Sequence, residues 1–428
     1  MLTKTMQRIH ALVLAGLFSG AITLTAADLL PQGARLAIIG DSITEQKLYT
    51  KYMEAYLLAC AGRQDMTVFQ FGWGGETASG FANRAVNDLG PFKPTVATTC
   101  CGMNDGQYRP FVDEIGNNYE NNMGKVAAAL QAAGVKDIVL GSPGAVDTKY
   151  FARDNFAPLS GADGYNLNLG KLRDIDRKLA AELGLGFADV HQAMIDAMKK
   201  AKAGLGDDYD VCGRDGFHPN PDGHLVMAYA FLRALGCDGQ IAQITVDMKG
   251  APAVSAGHKV AGGTGGQVEI ESRRYPFCFD PDPKSSGSTR SITPYFPFND
   301  ELNRFTLKVK NLDAAKANVT WGGETKAFTR EQLAGGVNLV AEFSRTPFDE
   351  NFRRIIEAVA AKQQFETMMI KTMVTNFRSF AGEAKSDPEL RSAFRNLGER
   401  LMVRQAELDA MVRKAIAPVK YTITVTPE

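Results

Sequence analysis

Histidine and cysteine are scarce in this 428-residue sequence, which contains five histidines and six cysteines. The cysteines follow none of the spacings that are typical of zinc sites. Six cysteines are too few for a disulfide scaffold in a chain of this length, although some of them can form disulfides in an exported protein. We therefore predict no metal site, and we expect most of the cysteines to be small buried residues. They are Cys60, Cys100, Cys101, Cys212, Cys237 and Cys278.

Charge of one sign is not in excess, because Lys and Arg together number 48 and Asp and Glu together also number 48. A protein that binds nucleic acid normally carries a basic excess. Nucleic acid is therefore not an expected partner, and neutral substrates are favoured. The hydrophobic fraction of 45% is that of an ordinary globular protein with a full core.

The sequence also lacks an apolar run of the roughly 20 residues that a membrane-spanning helix needs. The run from Ala11 to Leu24 is shorter and is interrupted by glycine and serine. Lys4 and Arg8 precede it and small residues follow it, which is the order of a secretory signal peptide. We expect cleavage after Ala27, a periplasmic or secreted mature protein and no membrane contact after cleavage. An uncleaved anchor is the alternative.

Short apolar runs alternate with helical patterns between Arg35 and Gly239. Each run ends in Gly, Pro or polar residues, which is typical of strands in a parallel sheet covered on both faces. The runs are RLAIIGD, MTVFQFG, TVATTCCG, DIVLGSP and LGFADV. The helical patterns cover Gln46–Ala61, Asp113–Ala133, Tyr165–Leu183 and Pro221–Leu235. This alternation predicts a three-layer α/β/α domain, to which we assign residues 28–240 after a signal peptide over residues 1–27.

The pattern changes after Gln240. Period-2 alternation between Gly-rich and Pro-rich turns predicts a small antiparallel β module over residues 241–347. Helical periodicity then predicts a long helical hairpin over residues 348–418. The final run, YTITVT, predicts a strand within residues 419–428 that returns to the β module. The pentapeptide WGGET occurs at Trp73–Thr77 and at Trp321–Thr325, and we interpret the second copy as chance because the flanking sequences differ.

Three residues of the first domain have the chemistry of nucleophilic catalysis. Ser42 follows the first predicted strand and precedes a helix, so we expect it at the edge where open α/β sheets bind ligands. A serine nucleophile needs a base, and the base needs a partner that fixes its tautomer. Asp215 and His218, three residues apart in one loop, can supply both. The alternative role for Ser42 is a helix cap, and no G-x-S-x-G nucleophile elbow is present. We interpret three other histidines as structural: His191, His224 and His258.

Two further segments end at the same predicted edge, Phe71–Thr77 after the second strand and Gly102–Asp105 after the third. Ester hydrolysis passes through a tetrahedral oxyanion, and the loss of one good hydrogen-bond donor to it costs roughly 3 kcal/mol. The backbone N–H of Gly75 and the side-chain amide of Asn104 suit this task. The glycines also have a structural interpretation, as residues of tight turns.

The blocks GDSIT, GGET, GMND and DGFHP, in this order and at the ends of these strands, resemble the four blocks of the SGNH (GDSL) hydrolase superfamily. The resemblance covers residues 35–239 and implies a flavodoxin-like parallel sheet, the activity of a serine carboxylic ester hydrolase, and no metal or other cofactor. It implies Ser42 as nucleophile and oxyanion donor, Gly75 and Asn104 as further donors, and Asp215 and His218 as the rest of the triad. All five positions are filled, so an active enzyme is expected.

Residues around the predicted site favour a small ester of a carbohydrate. Trp73 has the size and shape to stack on a sugar ring, and buried packing is its alternative role. A polar mouth argues against a deep acyl tunnel. The long segment from Pro143 to Tyr165 is expected to form one wall. The residues expected to contact substrate are Asp41, Trp73, Glu76, Asp105, Gln107, Tyr108 and Phe217. With its signal peptide and β module, the chain resembles secreted bacterial carbohydrate acetylesterases.

Two other functions stay open from the sequence. A lipase or thioesterase of the same superfamily would prefer longer acyl chains. A glycan-binding or tethering protein with secondary esterase activity would carry a row of aromatic side chains on the β module, where the sequence has scattered ones. The apolar spacing of the hairpin drifts from a strict 3.5-residue period, which favours packing within the chain over a coiled-coil dimer. The sequence indicates no particular oligomeric state.

Overall fold

The structure, a computed structural model, describes residues 29–152 and 161–428. Five parallel strands form the central sheet of the N-terminal part, in the order β2-β1-β3-β4-β5. They are β1 (Arg35–Gly40), β2 (Thr67–Gly72), β3 (Val96–Cys100), β4 (Asp137–Gly141) and β5 (Gly186–Ala188). Each predicted apolar run contains one of these strands, so the predicted parallel sheet is confirmed.

Helices cover both faces of this sheet. They are α1 (Ser42–Glu45), α2 (Tyr49–Ala55), α3 (Ala78–Leu89), α4 (Asp113–Ala132), α5 (Gly161–Leu183), α6 (Val190–Leu205) and α7 (Pro221–Ala234). Successive strand residues point to opposite faces. In β1, Leu36 and Ile38 accordingly pack with α2, α6 and α7, whereas Ala37 and Ile39 pack with α3, α4 and α5. The three-layer α/β/α arrangement is therefore confirmed.

The helices differ from the predicted patterns in two respects. The pattern Gln46–Ala61 divides into α2 and a π-helical turn over Tyr56–Cys60. In addition, α3 and α6 lie in stretches whose periodicity predicts no element. Both have a local start signal, because the side chains of Thr77 and Asp189 each accept a hydrogen bond from a backbone N–H three residues further on. Capping residues mark these helices where periodicity does not.

Two sheets follow the hydrolase-like part of the chain. Their strands are β6 (Gln240–Asp247), β7 (Ala253–Val254), β8 (His258–Gly262), β9 (Gln267–Ser272), β10 (Arg304–Lys310), β11 (Lys316–Trp321), β12 (Glu324–Thr329), β13 (Val337–Asn338) and β14 (Val419–Pro427). The sheet β12-β11-β14-β9-β8 is antiparallel throughout, and its central strand is the predicted C-terminal return strand. The sheet β13-β10-β6-β7 is mixed, because the long connection from β6 to β10 allows these two strands to pair in parallel.

The second WGGET copy lies at a β-hairpin. Trp321 pairs with Glu324 across the turn between β11 and β12. Gly322 and Gly323 have φ of 59° and 82°, a combination that glycine adopts readily and that two-residue hairpin turns require. The first copy follows a parallel strand and leads into a helix, so the two copies have different structures, as expected for a chance repeat.

Short helices and a long helical hairpin complete the chain. The short helices are α8 (Phe298–Glu301), α9 (Arg330–Gly335) and α10 (Leu339–Glu342), and the hairpin consists of α11 (Asp349–Met369), a π-helical turn (Ile370–Thr375), a 3₁₀ turn (Asn376–Phe380), α12 (Ala381–Ser386) and α13 (Pro388–Ala415). In the hairpin, α11 packs against α13 and against α2 and β2 of the first sheet. The predicted hairpin is thus present, and it packs on its own chain.

A buried polar network joins α11 to β2, the outer strand of the first sheet. Lys362 is fully buried and lies 2.9 Å from a carboxylate oxygen of Glu54 and 3.0 Å from one of Glu366. Its ammonium also donates to the backbone carbonyl of Val68, and Glu366 accepts the backbone N–H of Gln70 at 3.1 Å. The side chains of α11 therefore satisfy backbone groups that the outer strand leaves without a neighbouring strand.

Cysteines and membrane helices can be described for residues 29–152 and 161–428. All six cysteines are unpaired, five of them are buried and Cys278 is half-buried, which confirms their predicted role as small core residues. Within these ranges no helix has the length and apolar character needed to cross a bilayer. The predicted signal peptide and residues 153–160 of the predicted substrate wall lie outside the described residues.

Lys362→Met should lower the free energy of unfolding by about 3–5 kcal/mol at neutral pH, because Glu54 and Glu366 would stay buried without their cation. Burial raises the pKa of both carboxyls, that of Glu54 to about 7. A carboxyl whose pKa is raised on folding favours the folded state at low pH and loses that contribution as pH rises. The deficit should therefore be smaller at about pH 5 than at about pH 8. Urea titrations at both pH values measure it.

The exposed Lys414→Met, on α13, is the matched control for this measurement. It removes a lysine of the same hairpin and should change the free energy of unfolding little, because surface substitutions usually stay within about 0.5 kcal/mol. Equal losses in the two variants would contradict a structural role for the buried ion network.

Candidate active site

Ser42 begins α1 directly after the end of β1. Asp41 caps this helix, and its side chain accepts the backbone N–H of Ile43 at 2.9 Å. The turn is very close to the strand end: a Cβ at Gly40 would lie 2.0 Å from the hydroxyl oxygen of Thr44. Glycine at this position therefore lets the chain turn sharply enough to present Ser42 at the carboxyl edge of the sheet.

Ser42, His218 and Asp215 form a hydrogen-bonded triad. The Ser42 hydroxyl lies 2.8 Å from Nε2 of His218, and Nδ1 of His218 lies 2.7 Å from Oδ2 of Asp215. Since a carboxylate can only accept, Nδ1 carries the proton and Nε2 is left to accept the hydroxyl proton of Ser42. This is the arrangement in which histidine acts as a general base toward serine.

Asp215 is itself held in place by its own loop. Its second oxygen, Oδ1, accepts the backbone N–H groups of Phe217 at 3.1 Å and of His218 at 3.0 Å. Partial burial raises the pKa of the Asp215 carboxyl, but the hydrogen bonds from His218 and these two N–H groups outweigh burial, and the pKa lies below its ordinary value. Asp215 is therefore ionised at neutral pH and can stabilise a protonated His218.

The loop after β2 presents the N–H of Gly75 near the end of the strand. Its first residue, Trp73, donates its N–H to the carbonyl of Gly40 at 3.0 Å, which ties the loop to the end of β1. Gly75 has a φ of 72°, a conformation that other residues adopt only with strain. Within the described residues its N–H has no hydrogen-bond partner. An exposed, unpaired N–H is what an oxyanion donor requires.

Asn104 is oriented by hydrogen bonds on both sides of its amide group. Its Nδ2 donates to the carbonyl of Glu76 at 3.0 Å, and its Oδ1 accepts the hydroxyl of Tyr108 at 3.1 Å. An amide nitrogen has two hydrogens, so one N–H stays available to an oxyanion. Asn104 thus combines a fixed orientation with a usable donor.

Residues 38–226 match the model of the GDSL-like Lipase/Acylhydrolase family. This part, a little under half of the chain, is similar to that family. The matched range contains all five residues that the sequence blocks identified, so the resemblance drawn from those blocks is confirmed. The match supports a carboxylic ester hydrolase.

Solved structures share the fold of this esterase. BT4096, described as a gut microbial diltiazem-metabolizing enzyme, has a TM-score of 0.71 and 22% sequence identity, over 93% of this chain and 99% of its own. The shared fold therefore extends into the C-terminal sheets and the hairpin. The acetylxylan esterase Axe2 from Geobacillus stearothermophilus is 24% identical over 49% of this chain and 96% of its own, with a TM-score of 0.40. No curated protein matches the sequence.

Three of the residues expected to contact substrate have carboxyl groups that hydrogen-bond to other parts of the protein; Asp41 and Glu76 are buried and Asp105 is half-buried. Asp41 caps α1, Glu76 accepts Nε of Arg84 at 2.6 Å, and Asp105 accepts the backbone N–H groups of Ala78 and Gly102, each at 3.0 Å. Burial raises the pKa of Asp41 to about 7 and that of Asp105 to about 6. These contacts hold the loops of the site together, and a role in substrate contact stays a prediction.

Four aromatic rings pack beside the triad. Tyr108 stacks on Tyr165 with 5.3 Å between ring centroids, and Phe151 stacks on Tyr165 at 5.4 Å. The ring of Phe217 lies 5.5 Å from that of Tyr108 and 4.3 Å from the imidazole of His218. All four aromatic side chains are buried. The cluster connects the two loops that carry Asn104 and His218.

Trp73 and Gln107 are less buried than the aromatic cluster. Trp73 is half-buried, with the charged groups of Arg84 and Lys371 lying 4.6 Å and 4.8 Å from the ring centroid. Gln107 is exposed and adopts a φ of 59°. Lys371 belongs to the hairpin, and sequence reasoning does not associate it with the site. No local signal marks it, because it lies 326 positions from Glu45, the residue that it pairs with.

The other described histidines have structural partners. His224 donates from Nε2 to Gln46 at 2.8 Å, and burial lowers its pKa to about 3. Nδ1 of His191 bonds the carbonyl of Gly144, and His258 bonds Ser272 and the carbonyl of Ile241. Among residues 29–152 and 161–428, no three His, Cys, Asp or Glu side chains are grouped as metal ligands.

Ser42→Ala and His218→Ala should each lower kcat by about 10⁶-fold, because the triad acts as a unit, whereas Asp215→Ala should be milder by roughly two orders of magnitude. The carboxylate only orients and stabilises His218, and water can replace part of that role. Steady-state kinetics on p-nitrophenyl acetate measure the series.

Ser79→Ala, in α3, is the matched control because it lies near the oxyanion loop outside the triad, and it should retain activity. A folded Ser42→Ala protein with full activity would contradict Ser42 as nucleophile. If His218→Ala were the mildest triad variant, the base would have to be another residue.

Proposed function

We propose that the protein hydrolyses short-chain esters, chiefly O-acetyl groups on carbohydrates, through an acyl-enzyme formed on Ser42. The observation that carries this proposal is the continuous hydrogen-bond chain from Ser42 through His218 to Asp215, with distances of 2.8 Å and 2.7 Å. This chain supports the roles proposed for Ser42 as nucleophile, His218 as base and Asp215 as the group that orients the base.

In the proposed reaction the Ser42 hydroxyl attacks the ester carbonyl carbon while its proton passes to Nε2 of His218. The carbonyl oxygen becomes an oxyanion, which accepts hydrogen bonds from the N–H groups of Ser42 and Gly75 and from the amide of Asn104. His218 then gives its proton to the leaving alcohol as the acyl-enzyme forms. Water repeats the sequence: His218 takes its proton, the acyl group leaves Ser42 as a carboxylic acid, and the serine is regenerated.

The packing beside the triad supports a small acyl group. An acyl tunnel needs an apolar space that opens beside the nucleophile. In this region the rings of Tyr108, Phe151, Tyr165 and Phe217 pack on one another and are buried. An acetyl group is small and does not need an apolar tunnel. A long acyl chain extending into this region would have to displace part of the cluster.

The rim of the site supports a polar alcohol portion. Gln46, Gln107 and Arg109 are exposed and lie close in sequence to site residues: Gln46 follows α1, and Gln107 and Arg109 flank Tyr108. Side chains of this kind donate to and accept from hydroxyl groups, as sugars require. Trp73 adds a partly exposed ring whose contacts with Arg84 and Lys371 hold it in a fixed orientation.

The acyl preference is tested with p-nitrophenyl acetate, butyrate and octanoate, and the alcohol preference with acetate release from a panel of O-acetylated oligosaccharides. We expect kcat/KM to fall as the acyl chain lengthens, because a longer chain would meet the packed aromatic cluster, and we expect acetate release from at least one acetylated sugar. Ser42→Ala is the control for both assays. A rise in kcat/KM toward octanoate would instead indicate a lipase or thioesterase.

We further propose that the protein is exported and loses residues 1–27. The support is in the sequence: Lys4 and Arg8, then an apolar run from Ala11 to Leu24, then small residues that end at Ala27. Expression of the full sequence with a C-terminal tag in a Gram-negative host should give a periplasmic or secreted protein whose first residue is Asp28. A protein that keeps its N-terminal segment and stays in the cytoplasm would contradict export.

A further inference from the structure

The helical hairpin reaches the active site through the π-helical turn Ile370–Thr375. Nζ of Lys371, in this turn, pairs with Oε1 of Glu45, and Oε2 of the same carboxylate accepts the backbone N–H of Gly74. π-helical turns widen a helix locally and are frequent at functional sites. One carboxylate is therefore held between a cation of the hairpin and a backbone N–H of the oxyanion loop.

Both residues that Lys371 joins are next to catalytic groups. Glu45 is the last residue of α1, the helix that begins at Ser42, and Gly74 precedes Gly75. A Cβ at Gly74 would lie 3.0 Å from the Glu45 carboxylate, so the loop and the carboxylate are in close contact. We propose that Lys371 is a positioning residue for ester hydrolysis, which fixes the N–H of Gly75 relative to Ser42 through Glu45 and Gly74.

Further contacts fix the π-helical turn itself against the oxyanion loop. Thr375 donates to Asp88 at 2.9 Å, and Arg84 donates both to Asp88, at 2.5 Å, and to Glu76, at 2.6 Å. Glu76 follows Gly75 directly, and its carbonyl holds the amide of Asn104. The loop is thus bonded to hairpin-linked groups on both sides of Gly75: Gly74 on one side and Glu76 on the other.

The charge of Lys371 also has a direct electrostatic consequence. The Glu45 side chain is 26% exposed and lies beside the loop in which the substrate oxygen becomes negative. Paired with Lys371, the carboxylate presents little net charge to the developing oxyanion. Unpaired, it would oppose that charge and would also lose the contact that sets its distance from Gly74. Both effects destabilise the transition state more than the bound substrate.

The experiment compares Lys371→Met, Lys371→Arg and the exposed control Lys385→Met, which lies in α12 of the same hairpin. Lys371→Met should lower kcat on p-nitrophenyl acetate by about 10- to 100-fold with KM nearly unchanged, since displacements of about 1 Å at a reacting centre cost up to about 10²-fold. Lys371→Arg should recover most of the loss. Lys385→Met should match wild type.

Two further measurements separate positioning from a general loss of structure. An alkylboronic acid forms a tetrahedral adduct with the serine, so its affinity should fall by the same factor as kcat/KM in Lys371→Met. Glu45→Gln combined with Lys371→Met should be no slower than Lys371→Met alone, because the uncompensated carboxylate has then been removed. The proposal would be overturned if the double variant were slower than Lys371→Met. It would also be overturned if Lys371→Met bound the boronic acid as tightly as wild type.

This inference rests on the proposed serine mechanism, and the Ser42→Ala variant keeps the two separable. If Ser42→Ala is inactive while Lys371→Met retains wild-type kcat, the positioning role is wrong and the mechanism stands. If Ser42→Ala remains active, the mechanism is wrong and the positioning role fails with it. Failure of Lys371→Arg to recover activity would also overturn the role assigned to the Lys371 charge.

Discussion

The outer edge of β2 is the constraint on which the rest of this structure depends. A strand at the edge of a sheet leaves backbone N–H and C=O groups without a partner, and burying them unpaired is costly. Here α11 covers that edge with a lysine that donates to the carbonyl of Val68 and a glutamate that accepts the N–H of Gln70. Because β2 leads directly into the loop of Gly75, the groups that complete the sheet also support the loop that is proposed to bind the oxyanion.

The same edge links the hairpin to the nucleophile. The side chain of Gln70 accepts the hydroxyl of Thr367, from α11, at 2.8 Å and donates to the carbonyl of Thr44, in the helix of Ser42, at 2.7 Å. Together with the pair of Lys371 and Glu45, this gives two routes from the hairpin to α1. The hairpin therefore helps to position the helix that carries Ser42. These contacts give a physical reason why the hairpin packs against the first domain.

The sequence predicts those parts of the structure that depend on residues close together in the chain. The strands of the first sheet are marked by local apolar runs, and the fold confirms them. The five residues of the triad and oxyanion groups are marked by short sequence blocks, and their catalytic roles stay a prediction. Periodicity alone misses the helices α3 and α6, although Thr77 and Asp189 mark their starts. The parallel pairing of β6 with β10, and the contact of Lys371 with Glu45, depend on distant parts of the chain and have no local signal.

The polar character of the α11 face then has a physical explanation. An apolar face of the same shape would avoid the desolvation of Lys362, Glu54 and Glu366, and replacing buried ion pairs by apolar residues is often neutral or stabilising. On β2, however, such a face would leave the carbonyl of Val68 and the N–H of Gln70 buried without partners, at about 1–3 kcal/mol each. The edge strand thus requires charged or amide side chains above it, and Lys362 and Glu366 need Glu54 and Gln405 to be satisfied in turn. The ion network is present because β2 is the last strand of the sheet, beside the active site, and its backbone groups need polar partners.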